Sequence, residues 1–122
     1  MKMVELVNAS PALRKLATQD LSVRVAYEIS RLIKKLDEHL TFHDQRFGEL
    51  LTKYCEQKEE HWYPKSPEDG ERFQSERTEL LDLTVEIDEF KKITIPAGEK
   101  ISLSAVDIMA LENFIEIKFT EE

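Results

Sequence analysis

The chain has 122 residues, which predicts one domain with a modest core. Hydrophobic residues make up 41% and charged residues 34%, proportions typical of a folded protein with a helical bias. The net charge of −8 argues against a surface for duplex nucleic acid, because such surfaces neutralise phosphates with Lys and Arg. We therefore expect no nucleic-acid partner.

The N-terminal segment has an acidic residue at Glu5 and contains no long apolar region, so we expect no signal peptide. No apolar run approaches the roughly 20 residues that cross a bilayer, so we expect no membrane contact. The single cysteine, Cys55, excludes an internal disulfide and favours a reducing compartment. Together these features predict a cytoplasmic protein.

A short N-terminal helix is the first predicted element. Residues 3–7 read as an edge strand or as the lead-in to that helix. Asn8 or Ser10 can cap it, and Pro11 suits its first position. The small and apolar residues that follow give it one apolar face, and it should end near Thr18.

Residues 21–62 contain no proline and a single glycine, Gly48, which predicts one long helix over about 22–61. Apolar residues recur along it at intervals of three and four, which places them on one face. This seam consists of Val25, Ile29, Leu32, Leu36, Leu40, His43, Phe47, Leu50 and Tyr54. Such a helix would be roughly 60 Å long. It therefore either breaks near Thr41 or Gly48, or it projects and needs a partner.

Two prolines, Pro64 and Pro67, end the long helix, and Ser66 with Asp69 restarts a second helix over about 67–81. The short connection predicts that the second helix folds back antiparallel on the first. Its inward residues would be Phe73, Arg77 and Leu80. The two helices form a predicted helical hairpin over residues 21–82.

Alternation replaces helical spacing after residue 81. Leu81, Leu83, Val85 and Ile87 alternate with polar residues through Asp88, which predicts a strand. Residues 93–95 and 101–103 flank a Pro-Ala-Gly-Glu turn and predict a β-hairpin. Ser104 and Asp107 are spaced as a helix cap, and residues 115–119 alternate as a closing strand.

The predicted fold class is α+β. A long helical hairpin is accompanied by a short N-terminal helix and, at the C-terminus, a small antiparallel sheet with a short helix. All of residues 1–122 form one predicted domain, with the helical hairpin at 21–82 and the β/α part at 83–119.

The seam is longer than the sparsely apolar second helix can easily cover, which points to a protein partner or to a homodimer through the seam. Trp62 and Tyr63, at the predicted hairpin tip, either staple the two helices together with Phe73 or form an exposed contact. The residues predicted to bind a partner are Leu36, Leu40, His43, Phe47, Trp62 and Tyr63.

The sequence offers only weak support for metal binding or catalysis. His39 and His43 share one helical face at a spacing that metal sites use, but the order of residues differs from that of zinc proteases, and the main interpretation is that they bind no metal. Acids surround Cys55 and would not activate it as a nucleophile. Arg24, Arg31, Lys34 and Lys35 form a basic cluster, either a solvated face or a contact for an acidic partner. We expect no enzyme activity and no cofactor.

The order of four segments carries a resemblance. Residues 6–9 open a short helix, residues 21–27 open a charged long helix, and residues 80–87 precede residues 101–112. In this order they resemble a family of small tailed-phage and prophage proteins without an established activity. The chain departs from that family at Trp62-Tyr63 and after Glu116. The resemblance implies a phage or prophage origin and the host cytoplasm, and it transfers no site residues.

The predicted function is therefore non-enzymatic protein–protein interaction by a phage or prophage protein, for example inhibition of a host factor. The alternative is a helper in phage head or tail assembly. A metal-binding protein built on His39 and His43 is a remote third hypothesis.

Overall fold

A computed structural model describes residues 1–87 and 91–118 of the chain. The α+β class predicted from the sequence is confirmed, with a long helix, a short N-terminal helix, a small antiparallel sheet and a short C-terminal helix. In chain order the elements are α1 Met3–Ala17, α2 Val23–Tyr54, β1 Cys55–Lys58, β2 His61–Pro64, α3 Pro67–Leu81, β3 Ile93–Ile95, α4 Ala105–Ala110 and β4 Ile115–Ile117.

Helix α1 begins earlier than predicted. It starts at Met3, and Pro11 lies inside it rather than at its first position. Proline inside a helix costs about 3 kcal/mol, because it removes a hydrogen bond and crowds the preceding turn. Met3 and Leu6 are buried on the same side as the later apolar residues of α1, so their burial offsets that cost. The predicted end near Thr18 agrees with the last helical residue, Ala17.

Helix α2 is continuous for 32 residues and passes through Thr41 and Gly48 without a break. It ends at Tyr54, so the predicted extension to residue 61 is wrong. The chain continues directly into an antiparallel hairpin, in which Cys55 pairs with Pro64 and Lys58 pairs with His61. Helix α2 therefore ends about two turns before the predicted boundary.

A two-residue turn closes this hairpin at Glu59 and Glu60, whose φ angles are 51° and 71°. Two-residue hairpin turns of this left-handed kind suit the twist of the strands and normally use Asn or Gly. A glutamate in this region costs roughly 1 kcal/mol because its β-carbon crowds the carbonyl oxygen. Residues 56–60 are all charged or polar and include no Gly, Asn or Pro. Helix propensity alone therefore does not reveal the turn.

Helix α3 matches its prediction at both ends. The Ser66 hydroxyl accepts a hydrogen bond from the Asp69 amide at 3.1 Å, and Pro67 occupies the first turn. The helix runs antiparallel to the end of α2, since Phe73 meets Phe47 while the later Leu80 and Leu83 line a shallow cavity with the earlier Phe42. The core between them contains Leu50, Tyr54, Cys55 and Leu80.

The C-terminal part departs from the predicted hairpin. Strand β3 pairs with β4, and the pairing is parallel, with Ile93 opposite Ile115 and Ile95 opposite Ile117. Residues 101–103 form no strand among the described residues. The antiparallel sheet of the fold is instead the β1–β2 hairpin.

Residues 81–87 also differ from the predicted strand. Helix α3 takes in Leu81, and only Thr84 forms a bridge, with Lys2. Backbone bonds from Met3 to Leu83 (2.8 Å) and from Val85 to Met1 (2.6 Å) flank that bridge. Asp88, the predicted end of this strand, lies outside the described residues. Of the two residues predicted to extend β4, Lys118 follows the strand and Phe119 lies outside the described residues.

The predicted cap of α4 is present in full. The Ser104 hydroxyl accepts from the Asp107 amide, and the Asp107 carboxylate accepts from the Ser104 amide, each at 3.1 Å. This reciprocal pair satisfies two amide groups that a helix start leaves without partners.

Contacts group the chain into two compact units. One contains Met1–Val4 and Glu38–Val85, and the other contains Glu5–Asp37 and the described part of Glu86–Glu122. The first unit holds the β1–β2 hairpin and α3. The second holds most of α1, the first half of α2, α4 and the parallel β3–β4 pair. The single domain expected from the sequence stays a prediction.

Candidate functional site

The six residues predicted to bind a partner fall into three classes of exposure. Leu36 and Leu40 are buried, with 0% and 8% of their surface exposed. His43 and Phe47 are half-buried. Trp62 and Tyr63 are exposed, at 43% and 49%. The structure therefore separates the long-helix seam from the aromatic pair that follows it.

The expectation of an uncovered seam is wrong. Leu36 and Leu40 are buried within the chain, as are Val25, Ile29 and Leu32 earlier on the same face. Met3 and Leu6 are buried as well, although the predicted first helix began after them. Side chains already buried in the protomer present no surface to a second copy, so the seam gives no support to a homodimer.

His43 and Phe47 are occupied by neighbours in their own unit. Their rings stack 5.9 Å apart, nearly parallel at 7°, and Nδ1 of His43 lies 3.0 Å from a carboxylate oxygen of Asp44. On its other side the Phe47 ring meets Phe73 at 5.9 Å, and the Arg77 guanidinium lies 6.0 Å from the Phe47 centroid. These contacts give both residues a packing role between α2 and α3.

Trp62 and Tyr63 lie next to each other in β2, so they point to opposite faces of the hairpin. Tyr63 shares its face with His61, and their rings meet edge to face at 6.4 Å. Trp62 shares its face with Cys55, which is buried in the core of the unit. We call the three exposed ring residues of β2, His61, Trp62 and Tyr63, the aromatic tip.

The aromatic tip is held on a fixed base. Beneath it, Cys55 packs with Leu50 and Leu80, and the Lys65 amide donates to the Tyr54 carbonyl at 3.0 Å. Gly70 in α3 lies so close to Pro64 that a β-carbon there would approach the proline ring to 3.2 Å. Of the three aromatics predicted to hold the two helices together, only Phe73 packs against α2. Trp62 and Tyr63 remain accessible.

The structure does not assemble the histidines into a metal centre. Among residues 1–87 and 91–118, no group of three or more His, Cys, Asp or Glu side chains is arranged to hold a metal ion. His43 is engaged with Asp44 and Phe47. Cys55 is a free, buried thiol in an otherwise apolar and aromatic cluster.

A second surface arises from the basic cluster of α2. Three of its four predicted members line an open cleft of about 320 Å³, and two lysines that the sequence reasoning did not connect with it join them from the residues before β3. We call this cleft the basic groove; its cationic residues are Arg24, Arg31, Lys35, Lys91 and Lys92. Lys34, the fourth predicted member, is exposed and does not line it.

Two carboxylates with shifted pKa values stabilise local structure rather than either surface. Hydrogen bonds from Ser22 lower the pKa of Glu99, whose carboxylate accepts from the Ser22 amide at 3.1 Å just before α2 begins. A hydrogen bond from Lys15 at 2.9 Å lowers the pKa of Asp107. Glu99 thus gives a hydrogen-bond partner to the amide of Ser22, the residue just before α2.

Comparisons of the chain with models of protein families, with curated proteins and with solved structures found no match. The phage resemblance therefore stays a prediction. Within residues 1–87 and 91–118, every helix is too short or too polar to span a membrane.

Proposed function

We propose that the chain is a non-enzymatic interaction protein and that it binds its protein partner through the aromatic tip. The observation that carries this proposal is the exposure of Trp62 and Tyr63, one on each face of a hairpin anchored in a packed core. Large aromatics in a folded chain are usually buried, so exposed ones held on an ordered hairpin support its use as a contact surface.

The chemistry of the tip supports binding. Trp and Tyr are enriched among residues that dominate binding energy, because each offers a large apolar area and a polar group. Lys58 and Glu56, which form an ion pair at 3.2 Å, place charge on the hairpin face that also carries Tyr63. A contact with an apolar centre and a polar rim is the usual arrangement of a protein interface. Because the base is already ordered, binding would lose little conformational entropy there.

The proposed setting follows the resemblance noted in the sequence. We place the protein in the cytoplasm of a bacterial host, as a phage or prophage product. There it would occupy a host protein and block its normal contacts.

The test is affinity capture from host-cell extract with three tagged proteins. These are the wild type, the double variant Trp62→Ala/Tyr63→Ala, and the control Tyr27→Ala, which removes another exposed aromatic at 61% exposure. A partner held by the wild type and by the control, but lost with the double variant, supports the proposal. A host enzyme or regulator as partner indicates inhibition, whereas a virion protein indicates assembly.

Direct titration with the captured partner then gives the magnitude. Loss of an aromatic hot spot costs at least about 2 kcal/mol, which corresponds to roughly 30-fold in Kd. The control should change Kd by less than about threefold. If the double variant binds as tightly as the wild type, the aromatic tip is not the binding surface.

A further inference from the structure

The basic groove concentrates positive charge on an acidic protein. Arg24, Arg31 and Lys35 are spaced by seven and four residues, which places them on one face of α2. Lys91 and Lys92 face them from the residues that lead into β3. Among the residues that the structure describes, five cations and one carboxylate line the groove, whereas the whole chain has a net charge of −8.

The cations are not equivalent. Arg24 is paired with Glu28, the one carboxylate among the described residues that line the groove, since one of its nitrogens lies 3.1 Å from both carboxylate oxygens. Arg31 has no such acid partner within the described contacts; its guanidinium lies 5.9 Å from the centroid of the Tyr27 ring. Cation–π contact orients the guanidinium and leaves its N–H groups able to donate at the edge. Arg31, Lys91 and Lys92 therefore form the cationic centre of the groove.

The floor of the groove combines apolar and backbone groups. Leu32 and Ile93 lie there and are 4% and 7% exposed. Strand β3 is bonded to β4 through the Ile93 amide and the Ile95 carbonyl. Because backbone groups of a strand alternate in direction, the amide and carbonyl of Thr94 face away from β4. Thr94 also lines the groove.

We propose that the basic groove binds a compact, multivalent phosphate ligand, of the class that carries a pyrophosphate group. Phosphate oxygens are strong acceptors for the fork of an arginine and for lysine ammonium groups. A cleft of about 320 Å³ is at the lower end of the size of ligand sites, which suits a small, densely charged group.

An acidic peptide fits this surface less well. In an extended peptide, side chains on one face are about 6.6 Å apart, so a short segment delivers few carboxylates to one small cleft. A pyrophosphate group delivers the same charge within a single small group. The groove shares no residue with the aromatic tip, so either proposal can fail without affecting the other.

The test is calorimetric titration of the full chain with inorganic pyrophosphate, with orthophosphate as the weaker comparison. We expect one site, with pyrophosphate bound at least tenfold more tightly than orthophosphate. Arg31→Gln and Lys92→Gln should each weaken binding by tenfold or more. The matched control is Lys34→Gln, which removes the same charge from an exposed position on α2 outside the groove, and it should change Kd by less than twofold.

Ionic strength and competing ligands test the charge dependence and the selectivity of the groove. Raising the ionic strength from 0.15 M to about 0.5 M should weaken binding, since exposed charges are screened over a shorter distance. Circular dichroism of each variant establishes that it is folded. The proposal is overturned if pyrophosphate shows no saturable binding, or if Lys34→Gln weakens it as much as Arg31→Gln does. It is also overturned if a glutamate-rich peptide or a short oligonucleotide binds the groove more tightly than pyrophosphate.

Discussion

Replacing Leu36 by alanine tests whether the seam of α2 is part of the protomer's own core. The Leu36 side chain has 0% of its surface exposed. The substitution removes three carbon atoms, and at about 0.8 kcal/mol for each buried methylene the transfer loss alone is roughly 2.4 kcal/mol. The cavity left behind adds to this, so the free energy of unfolding should fall by about 2–5 kcal/mol.

Urea unfolding followed by circular dichroism measures this loss. The matched control is Lys34→Ala, an exposed change two residues away that should alter stability by less than about 0.5 kcal/mol. The midpoint for the wild type should not depend on protein concentration, because a core inside one protomer is independent of association. A Leu36→Ala effect as small as that of the control, or a midpoint that rises with concentration, would refute the buried seam and restore the homodimer.

Three further changes test local features of the fold. Gly48→Ala should stabilise the protein by roughly 0.5–1 kcal/mol in the same urea assay, because Gly48 is in mid-helix with open space around it; destabilisation would contradict a continuous α2. Glu59→Asn with Glu60→Gly should raise stability by roughly 1 kcal/mol by suiting the left-handed turn, whereas a helix there would be weakened by the same pair. The pKa of Asp107 is lowered by its hydrogen bond from Lys15, so its stabilisation is present above an ordinary pKa of about 4 and is lost as pH falls through the lower folded value. Asp107→Asn should therefore reduce the loss of stability on acidification, and an unchanged acid profile would argue against this pairing.

Elements with local signals were predictable from the sequence. Helix α3 has a serine cap, a proline in its first turn and acids beside its positive end, so both its bounds could be predicted. The cap of α4 at Ser104 and Asp107 was predictable for the same reason. The seam of α2 was also correctly assigned as one face, and its members from Val25 to Tyr54 are buried or half-buried in the structure.

Elements decided by distant contacts were not predictable in this way. Pro11 is a strong local signal for a helix start. Helix α1 nevertheless begins at Met3 and contains Pro11, because burial of Met3 and Leu6 stabilises the earlier turns. The paired residues of β3 and β4 are 22 positions apart, as Ile93 and Ile115 show, and a parallel register leaves no turn signal between the strands. The nearby Pro-Ala-Gly-Glu segment favoured a hairpin instead.

The two candidate surfaces show the same contrast. Trp62 and Tyr63 were identified from residue type alone, but their exposure depends on the hairpin turn at Glu59 and Glu60, which helix-forming residues conceal. Three of the five cations of the basic groove could be recognised in the sequence as a cluster on α2. Lys91 and Lys92 joined it only through the fold, because nothing in their spacing relates them to Arg31.

Photo-crosslinking in host cells tests the proposed protein contact most directly. A photoreactive phenylalanine derivative replaces Trp62 in one protein and the exposed Tyr27 in a control protein. The account predicts a discrete covalent adduct with another protein from position 62, and none from position 27. No adduct from position 62, or the same adducts from both positions, would contradict binding through the aromatic tip.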